Sequence, residues 1–147
     1  MKKETILGLI SILVIVVLVS GCTSSSSSSS SSAKTYNGSQ MSFQYPSDCE
    51  VKEIGSENGT FVRVNKDSKT EAAVRIMDNP AETKNAVASS STYKGQETIG
   101  GAVCDIYKDS DGIYNYFFQK NGENILVFSG DLSTDTAKQI IETIQVK

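Results

Sequence analysis

Three dipeptides that favour tight turns divide the part of the chain that follows residue 50. Asn58-Gly59, Asp111-Gly112 and Asn121-Gly122 each stand beside a run of apolar and aromatic residues. Asn-Gly and Asp-Gly supply the positive φ angles that two-residue turns require, so each dipeptide predicts a hairpin of adjacent antiparallel strands. Three such hairpins restrict the chain to folds that contain an antiparallel sheet.

The apolar runs beside these turns, and several others, alternate in the way that half-buried strands do. In one run Val62 and Val64 share a face, and in two others the same holds for Ala72, Val74 and Ile76 and for Ala102, Cys104 and Ile106. We therefore expect strands over residues 42–45, 50–54, 61–64, 72–77, 102–107, 113–118 and 125–128.

A first helix is predicted from residue 80 to about residue 89. Asn79 can cap its N-terminus, Pro80 suits the first helical position, and Glu82 suits the third. The apolar residues of this segment are alanines and Val87, so we expect the helix to pack lightly.

A second helix is predicted to begin near Ser133, with Asp135 in its first turn. Its apolar residues recur at i, i+3, i+4 and i+7, which places them in one stripe. They are Ala137, Ile140, Ile141 and Ile144. The stripe must be buried, most simply across the sheet, so the predicted fold class is α+β, a twisted antiparallel sheet with helices packed on it.

The N-terminus has the pattern of a secretion signal. Lys2 and Lys3 precede an apolar run over residues 6–19, which is too short to span a bilayer and typical of a signal peptide. Val19, Ser20, Gly21 and Cys22 follow and resemble a lipobox, the lipidation signature of lipoproteins. An uncleaved signal anchor is the alternative. We predict a lipoprotein signal peptide over residues 1–21, cleaved before a lipidated Cys22.

Nine consecutive serines, Ser24–Ser32, follow the lipidation site. Such a tract cannot bury apolar area, so residues 22–35 are predicted to form a flexible, low-complexity linker and residues 36–147 a globular domain. Cleavage would leave a mature chain with a net charge of about −4. Because this charge is negative, we do not expect a basic patch to assist membrane contact. The lipid alone is expected to attach the protein to the cell membrane, with the domain on the extracytoplasmic face.

Composition excludes several functions. The chain has no His, which removes Ser-His-Asp and Cys-His catalysis, and its three Cys cannot form a four-ligand zinc site. Its net charge of −3 argues against nucleic-acid binding. There is no P-loop or glycine-rich dinucleotide motif. We expect no cofactor, no metal and no catalytic activity.

The start and end of the domain resemble the PsbP-related family. Residues 36–38 and 41–48 (Tyr-Asn-Gly and Met-Ser-Phe-Gln-Tyr-Pro-Ser-Asp) are similar to the family's polar opening and its aromatic strand, which ends in Tyr-Pro-Ser-Asp-Trp. Residues 136–146 are similar to its Ile-rich closing helix. The resemblance implies a PsbP-like α/β/α sandwich around an antiparallel sheet. It does not imply the photosystem role of some members, because no residue here supports that role.

Cys49 stands where the PsbP-related family usually has Trp. Outside the lipidation site, Cys49 and Cys104 are the remaining cysteines of an extracytoplasmic domain, which suggests a Cys49–Cys104 disulfide. The alternative is two buried thiols that act as small apolar residues.

Several other residues are candidate sites. Asn37 and Asn58 each begin an Asn-x-Ser/Thr triplet and are candidate glycosylation sites, although turn geometry already explains Asn58-Gly59. The segment Asp109–Gly112 fails the EF-hand pattern and is better interpreted as a turn. Tyr114 and Tyr116 share a strand face and could bind a ligand, but an aromatic strand more often lies in the core beneath a helix.

These features predict a membrane-anchored extracytoplasmic lipoprotein that acts as a non-enzymatic binding or assembly module of the cell envelope. It would contact an unknown envelope protein through its sheet face or loops. A small-ligand or metal-binding lipoprotein is one alternative. A carboxylate-based hydrolase, using acids such as Glu50 and Glu53, is another.

Overall fold

The computed structural model describes residues 32–56, 59–130 and 134–147. The described residues form an α+β domain of antiparallel strands and two helices, as predicted. The strands are β1 (Ala33–Asn37), β2 (Met41–Pro46), β3 (Glu50–Ser56), β4 (Gly59–Lys66), β5 (Lys69–Ile76), β6 (Ser91–Ile99), β7 (Ala102–Asp109), β8 (Tyr114–Lys120), β9 (Glu123–Ser129) and β10 (Gln145–Val146). The helices are α1 (Pro80–Ser90) and α2 (Asp135–Thr143).

Seven strands form one antiparallel sheet in the order β3-β4-β5-β9-β8-β7-β6. The hairpin predicted at Asn121-Gly122 is confirmed: φ is 52° at Asn121 and 85° at Gly122, and the flanking residues Lys120 and Glu123 pair with each other. The hairpin predicted at Gly112 is confirmed as well, with a φ of 89° at that residue. Residues 57–58 lie outside the described residues, but β3 and β4 pair as predicted.

One face of this sheet, called here the first face, carries the main core. The three sets of alternating residues expected to share a face, on β4, β5 and β7, are all buried in it. The stripe of α2 packs on the same face, and its four members are completely buried. The stripe contains Ala137, Ile140, Ile141 and Ile144. The spacing of apolar residues in the sequence therefore predicted which residues of the sheet and which residues of α2 are buried against each other.

A second, three-stranded sheet in the order β1-β2-β10 completes the cover of the core. Met41 and Phe43 of β2 are buried in the same cluster as the residues of α2. Thr143 of α2 accepts a hydrogen bond from the backbone N–H of Gln44, at 2.9 Å. The closing helix is thereby fixed to the opening strand of the domain.

Strand β1 lies partly inside the segment predicted to be linker. Ala33 pairs with Pro46 and Thr35 pairs with Gln44, so β1 includes three residues of the segment predicted to be linker. The predicted signal peptide and Cys22 lie outside the described residues. Among the residues that are described, no helix is long and apolar enough to cross a bilayer.

Candidate binding surface on the second face of the sheet

The opposite face of the seven-stranded sheet, called here the second face, is only partly covered. Its small apolar cluster consists of Met77, Phe117 and Leu126, with Val87 of α1 packed against it. Helix α1 has no buried residue and contacts β6 and β7, at one edge of the sheet. The light packing expected of α1 is confirmed, and most of the second face is left without a helix above it.

Local sequence determines where α1 begins. The side chain of Asn79 accepts a hydrogen bond from the backbone N–H of Glu82, and Pro80 occupies the start of the helix, as predicted. The helix then places Lys84 above β7, where its Nζ donates to Oδ2 of Asp105 at 2.5 Å. A polar contact therefore holds α1 in place where apolar burial is small.

Asp105 is the centre of a small polar network. Besides Lys84, it accepts hydrogen bonds from Gln96 at 2.8 Å and from the Tyr93 hydroxyl at 3.4 Å. The hydrogen bond from Lys84 is the main cause that lowers the pKa of Asp105, and it also raises the pKa of Lys84. Both groups are therefore charged at neutral pH.

An aromatic group lies beside this network. The rings of Tyr93 and Tyr107 have centroids 5.1 Å apart, and Tyr107 meets Phe117 edge-on at 5.7 Å. Tyr93 is 51% exposed and Val103, on the same face of β7, is 57% exposed. We call Tyr93, Val103, Tyr107 and Phe117 the β6–β7 patch. Tyr93 lies beside Tyr107 at one end of this patch, and Val103 lies at the other end, with Asp105 between them.

An open cavity of about 500 Å³ adjoins the β6–β7 patch, between it and the start of α1. Apolar side chains such as Met77, Val103 and Phe117 form much of its lining. Its ionisable lining residues are Lys84 and Asp105, which pair with each other. One paired acid does not supply the two carboxylates of acid/base hydrolysis.

The tyrosines proposed from the sequence as ligand contacts lie on the first face. Tyr116 is 1% exposed and belongs to the core, and burial raises its pKa to about 12. Tyr114 is half-buried, stacks on Tyr116 at 6.4 Å and has the Lys108 ammonium 4.9 Å from its ring centre. Both line an open depression with Lys94, but Tyr116 lies in the same core cluster as the stripe of α2.

The expected Cys49–Cys104 disulfide is absent, because both cysteines are free and buried. Cys49 directly precedes β3, at one edge of the sheet, whereas Cys104 lies in β7, five strands away. Five strand spacings amount to roughly 24 Å, well beyond the ~7 Å that a disulfide allows between Cα atoms. Burial raises the pKa of each thiol to about 11. The two side chains therefore act as small apolar residues.

The other candidate residues are dispersed. Asn37 is exposed at the end of β1, where its side-chain oxygen accepts from Lys147 at 2.8 Å. Asn58 lies outside the described residues. Asp109 caps the β7–β8 turn by accepting from the N–H groups of Asp111 and Ile113, as a turn interpretation requires.

The acids considered for hydrolysis are also separate. Glu53 accepts from the Tyr36 hydroxyl at 2.6 Å, and Glu50 points to the other face of β3. Among the described residues no three acid or cysteine side chains are grouped so that they could hold a metal ion.

Sequence reasoning missed β6, and with it Tyr93. Residues 91–98 show no alternation, because six of them are exposed on an edge strand and Gly95 lies at a bulge. One signal was available: Gly100-Gly101 precedes the predicted strand at Ala102, and both glycines have positive φ. A Gly-Gly pair at that point predicts a hairpin, and hence a strand before it.

Comparisons with known proteins find similarity among solved structures. No family model matches the chain, and no curated protein matches it. The solution structure of cyanobacterial PsbP (CyanoP) from Synechocystis sp. PCC 6803 is 11% identical, with a TM-score of 0.49, over 80% of this chain and 94% of that chain.

A second similar structure is a crystal structure of a protein from Bacteroides thetaiotaomicron VPI-5482. It is 14% identical, with a TM-score of 0.43, over 74% of this chain and 45% of that chain. This chain therefore spans less than half of that protein's length. At such identities the similarities concern the fold alone.

Proposed function

We propose that this protein is a membrane-anchored extracytoplasmic lipoprotein with a PsbP-type α/β/α domain that binds an envelope protein without catalysis. The observation that carries the binding role is the β6–β7 patch, where Tyr93 and Val103 are more than half exposed and where Val103 and Phe117 line an open cavity. The membrane attachment is supported by the leader and the lipobox at Cys22.

A protein partner fits the patch better than a small ligand does. The cavity is open, and its ionisable side chains neutralise each other. Small-ligand sites are concave and enclose most of their ligand. Protein interfaces instead centre on aromatic side chains within a polar rim, and here Tyr93 and Tyr107 are bordered by Gln96 and Lys84.

The catalytic alternative finds no support in the described residues. Glu50 and Glu53, the acids named for it, point to opposite faces of β3. General acid/base hydrolysis needs two carboxylates facing one substrate bond. The positions of Glu50 and Glu53 therefore do not provide the pair of facing carboxylates that the catalytic alternative requires.

Site-specific cross-linking in cells tests the binding role. A photo-cross-linking residue replaces Val103 in one variant and Glu142, an exposed residue of α2 on the other side of the sheet, in the control. We expect one discrete cross-linked product from position 103 and none from position 142. No product from position 103, or the same products from both positions, would contradict the proposal.

Fractionation tests the membrane attachment. The Cys22→Ser variant has no thiol to receive a lipid, so we expect the domain to leave the membrane fraction or the precursor to remain unprocessed. Unchanged processing together with unchanged membrane partitioning would contradict a lipid anchor.

A further inference from the structure

Strand β6 forms one open edge of the seven-stranded sheet. It pairs with β7 on one side, and none of the described strands lies on its other side. Six of its nine residues are exposed. An open edge presents N–H and C=O groups with which the strand of another chain can pair. Strand β6 therefore offers a place where a second chain can extend the sheet.

The hairpin between β6 and β7 determines which backbone groups of β6 face outward. Gly100-Gly101 form a two-residue turn with φ angles of 54° and 82°, and Ile99 pairs with Ala102 across it. The pair that flanks such a turn is hydrogen-bonded, and bonded and non-bonded pairs alternate from there. Gln96 and Thr98 therefore occupy non-bonded positions, and their N–H and C=O groups point away from β7.

The side chains of β6 on the second face are arranged evenly about Gln96. Tyr93, Gln96 and Thr98 pair with every second residue of β7, at positions 107, 105 and 103. Neighbours in this row are therefore about 7 Å apart along the strand. The bulge at Lys94 makes this spacing possible, because it absorbs the additional residue between Tyr93 and Gln96.

The first face is arranged about Gln96 as well. Gly95 and Glu97 are the neighbours of Gln96 on that face, and a Cβ at Gly95 would meet no atom within 4 Å. Lys94 and Glu97 both line the open depression on the first face, where Lys138 of α2 contacts Glu97 at 2.7 Å. A cation and open space thus lie on one side of Gln96, and an acid lies on the other.

We propose that β6 pairs in antiparallel orientation with β6 of a second copy of this chain, about a two-fold axis that passes beside Gln96. This inference rests on the proposed binding role of the β6–β7 patch and names the partner as an identical chain. In this register the two Gln96 residues exchange backbone hydrogen bonds, and Tyr93 of each copy lies opposite Thr98 of the other. The sheets of the two copies form one continuous antiparallel sheet.

Charge complementarity favours this register. Glu97 of each copy lies opposite Gly95 of the other, so its carboxylate enters the open space beside Lys94. Opposite charges across a strand pair stabilise it, and the two-fold axis repeats the contact. An axis shifted by one residue, to Glu97, would place two carboxylates directly opposite each other. Such a like-charged pair destabilises strand pairing.

Lys94 and its bulge also restrict which strands can pair with β6. Charged side chains and bulges at a sheet edge discourage pairing with unrelated strands. A strand that carries an acid opposite Gly95 meets this restriction, and β6 itself carries Glu97 at that position. The edge is therefore selective for its own sequence.

The proposed dimer also covers exposed apolar surface. Among the described residues, the large apolar side chains that stay exposed are Tyr93 and Val103, which lie at opposite ends of the β6–β7 patch. Thr98 pairs with Val103, so Tyr93 of one copy would lie over Thr98 and towards Val103 of the other. Aromatic side chains are enriched at protein interfaces. The two ends of the patch would thus meet across the two-fold axis.

Disulfide trapping of the full chain in intact cells, with a permeant oxidant, tests the register. The two Gln96 Cα atoms would lie about 5.5 Å apart, within the range of a disulfide, whereas the two Thr98 Cα atoms would lie about 14 Å apart. We expect a linked dimer from Gln96→Cys and none from Thr98→Cys or from the parent chain, whose described cysteines are buried. No dimer from Gln96→Cys, or a dimer from Thr98→Cys, would overturn the proposal.

Sedimentation equilibrium measures the affinity. The protein is the chain from residue 22 onward with Cys22→Ser, which contains every residue that the structure describes. A strand-edge interface is small, so we expect a dimer at about 100 µM. Lys94→Glu should weaken dimerisation at least about tenfold, because both symmetric contacts become like-charged. Adding Glu97→Lys restores opposite charges and should tighten binding at least about threefold relative to Lys94→Glu alone.

A matched control makes the same charge change at the other edge of the sheet. Lys52→Glu lies on β3 and should weaken dimerisation less than about twofold. Far-ultraviolet circular dichroism checks that each variant is folded. Equal losses in Lys52→Glu and Lys94→Glu, or a chain that stays monomeric at about 100 µM, would overturn the proposal.

Failure of this inference is distinguishable from failure of the proposed binding role. A monomeric chain that still forms a discrete product from position 103 with a different protein would refute the second copy as partner and support the binding role. A chain that dimerises as described but forms no product from position 103 would support the dimer and contradict the binding role of the patch.

Discussion

The Nζ atom of Lys84 lies 2.5 Å from Oδ2 of Asp105, and this contact joins α1 to β7. Because α1 buries no residue, the pair and Val87 fix the helix above the β6–β7 patch. The position of α1 in turn sets one wall of the cavity beside Val103. Helix α1 thus buries no residue of its own but forms one side of the candidate binding surface.

Loss of the Lys84–Asp105 pair should loosen α1 selectively. We expect Lys84→Ala to speed amide hydrogen exchange in α1 while lowering the free energy of unfolding by only about 0.5–1 kcal/mol, since both side chains are partly exposed. Lys138→Ala, which removes the Lys138–Glu97 pair on the other side of the sheet, is the control. Equal protection of α1 in both variants would contradict this role for Lys84.

The same pair predicts a dependence on pH. The folded-state pKa of Asp105 is lowered, mainly by the hydrogen bond from Lys84, so the pair stabilises the fold above the ordinary Asp pKa of about 3.9. That stabilisation is lost as the pH falls below 3.9 through the folded-state pKa. Denaturation curves from pH 6 to pH 2 should show a smaller decrease for Asp105→Asn than for the parent protein.

The cysteines should behave as buried thiols. Because the pKa of Cys49 and of Cys104 is raised to about 11, both stay protonated at neutral pH and should resist alkylation in the folded protein. Denaturant should expose both. We expect a reductant to leave the thermal unfolding temperature unchanged, and a mass 2 Da lower before reduction than after would contradict the free-thiol structure.

Gly130 should tolerate no side chain. A Cβ there would lie 1.6 Å from the backbone oxygen of Thr70, and it would disturb the 2.6 Å hydrogen bond from Gly130 N–H to Glu71. We expect Gly130→Ala to lower the free energy of unfolding by at least about 2 kcal/mol. Gly55→Ala is the control, because a Cβ there meets no atom within 4 Å. Similar denaturation midpoints for the two variants would contradict this packing.

The stripe of α2 should carry much of the stability. Ile140 is completely buried against the first face, so we expect Ile140→Ala to cost about 2–5 kcal/mol in chemical denaturation. Val103→Ala removes a similar apolar group from an exposed position and should change stability by less than about 0.5 kcal/mol. Comparable losses in both variants would mean that α2 does not pack on the sheet as described.

Much of this fold follows from local signals. The turn at Asn121-Gly122, the cap at Asn79 and the stripe ending at Ile144 each combine a conformational requirement with a pattern of burial, and each is confirmed. The turn at Asp67-Ser68 was not foreseen, because both residues adopt positive φ without a glycine. Strand pairing on each side holds that turn in place, and pairing is not local.

The candidate surface could not be predicted from the sequence, because the residues that form it come from different strands. Tyr93 and Tyr107 become neighbours only when β6 pairs with β7, and β6 has no alternation to reveal it. The predicted disulfide was wrong for a similar reason. Cys104 lies on the face that carries the core, but the strand order places it five strands from Cys49.

Membrane attachment through Cys22 is the claim on which the account most depends. Intact-mass spectrometry of the protein extracted from cell membranes tests it most directly. We expect a chain that begins at Cys22 and carries the added mass of a lipid. An unmodified chain that still begins at Met1, recovered from the soluble fraction, would contradict the account.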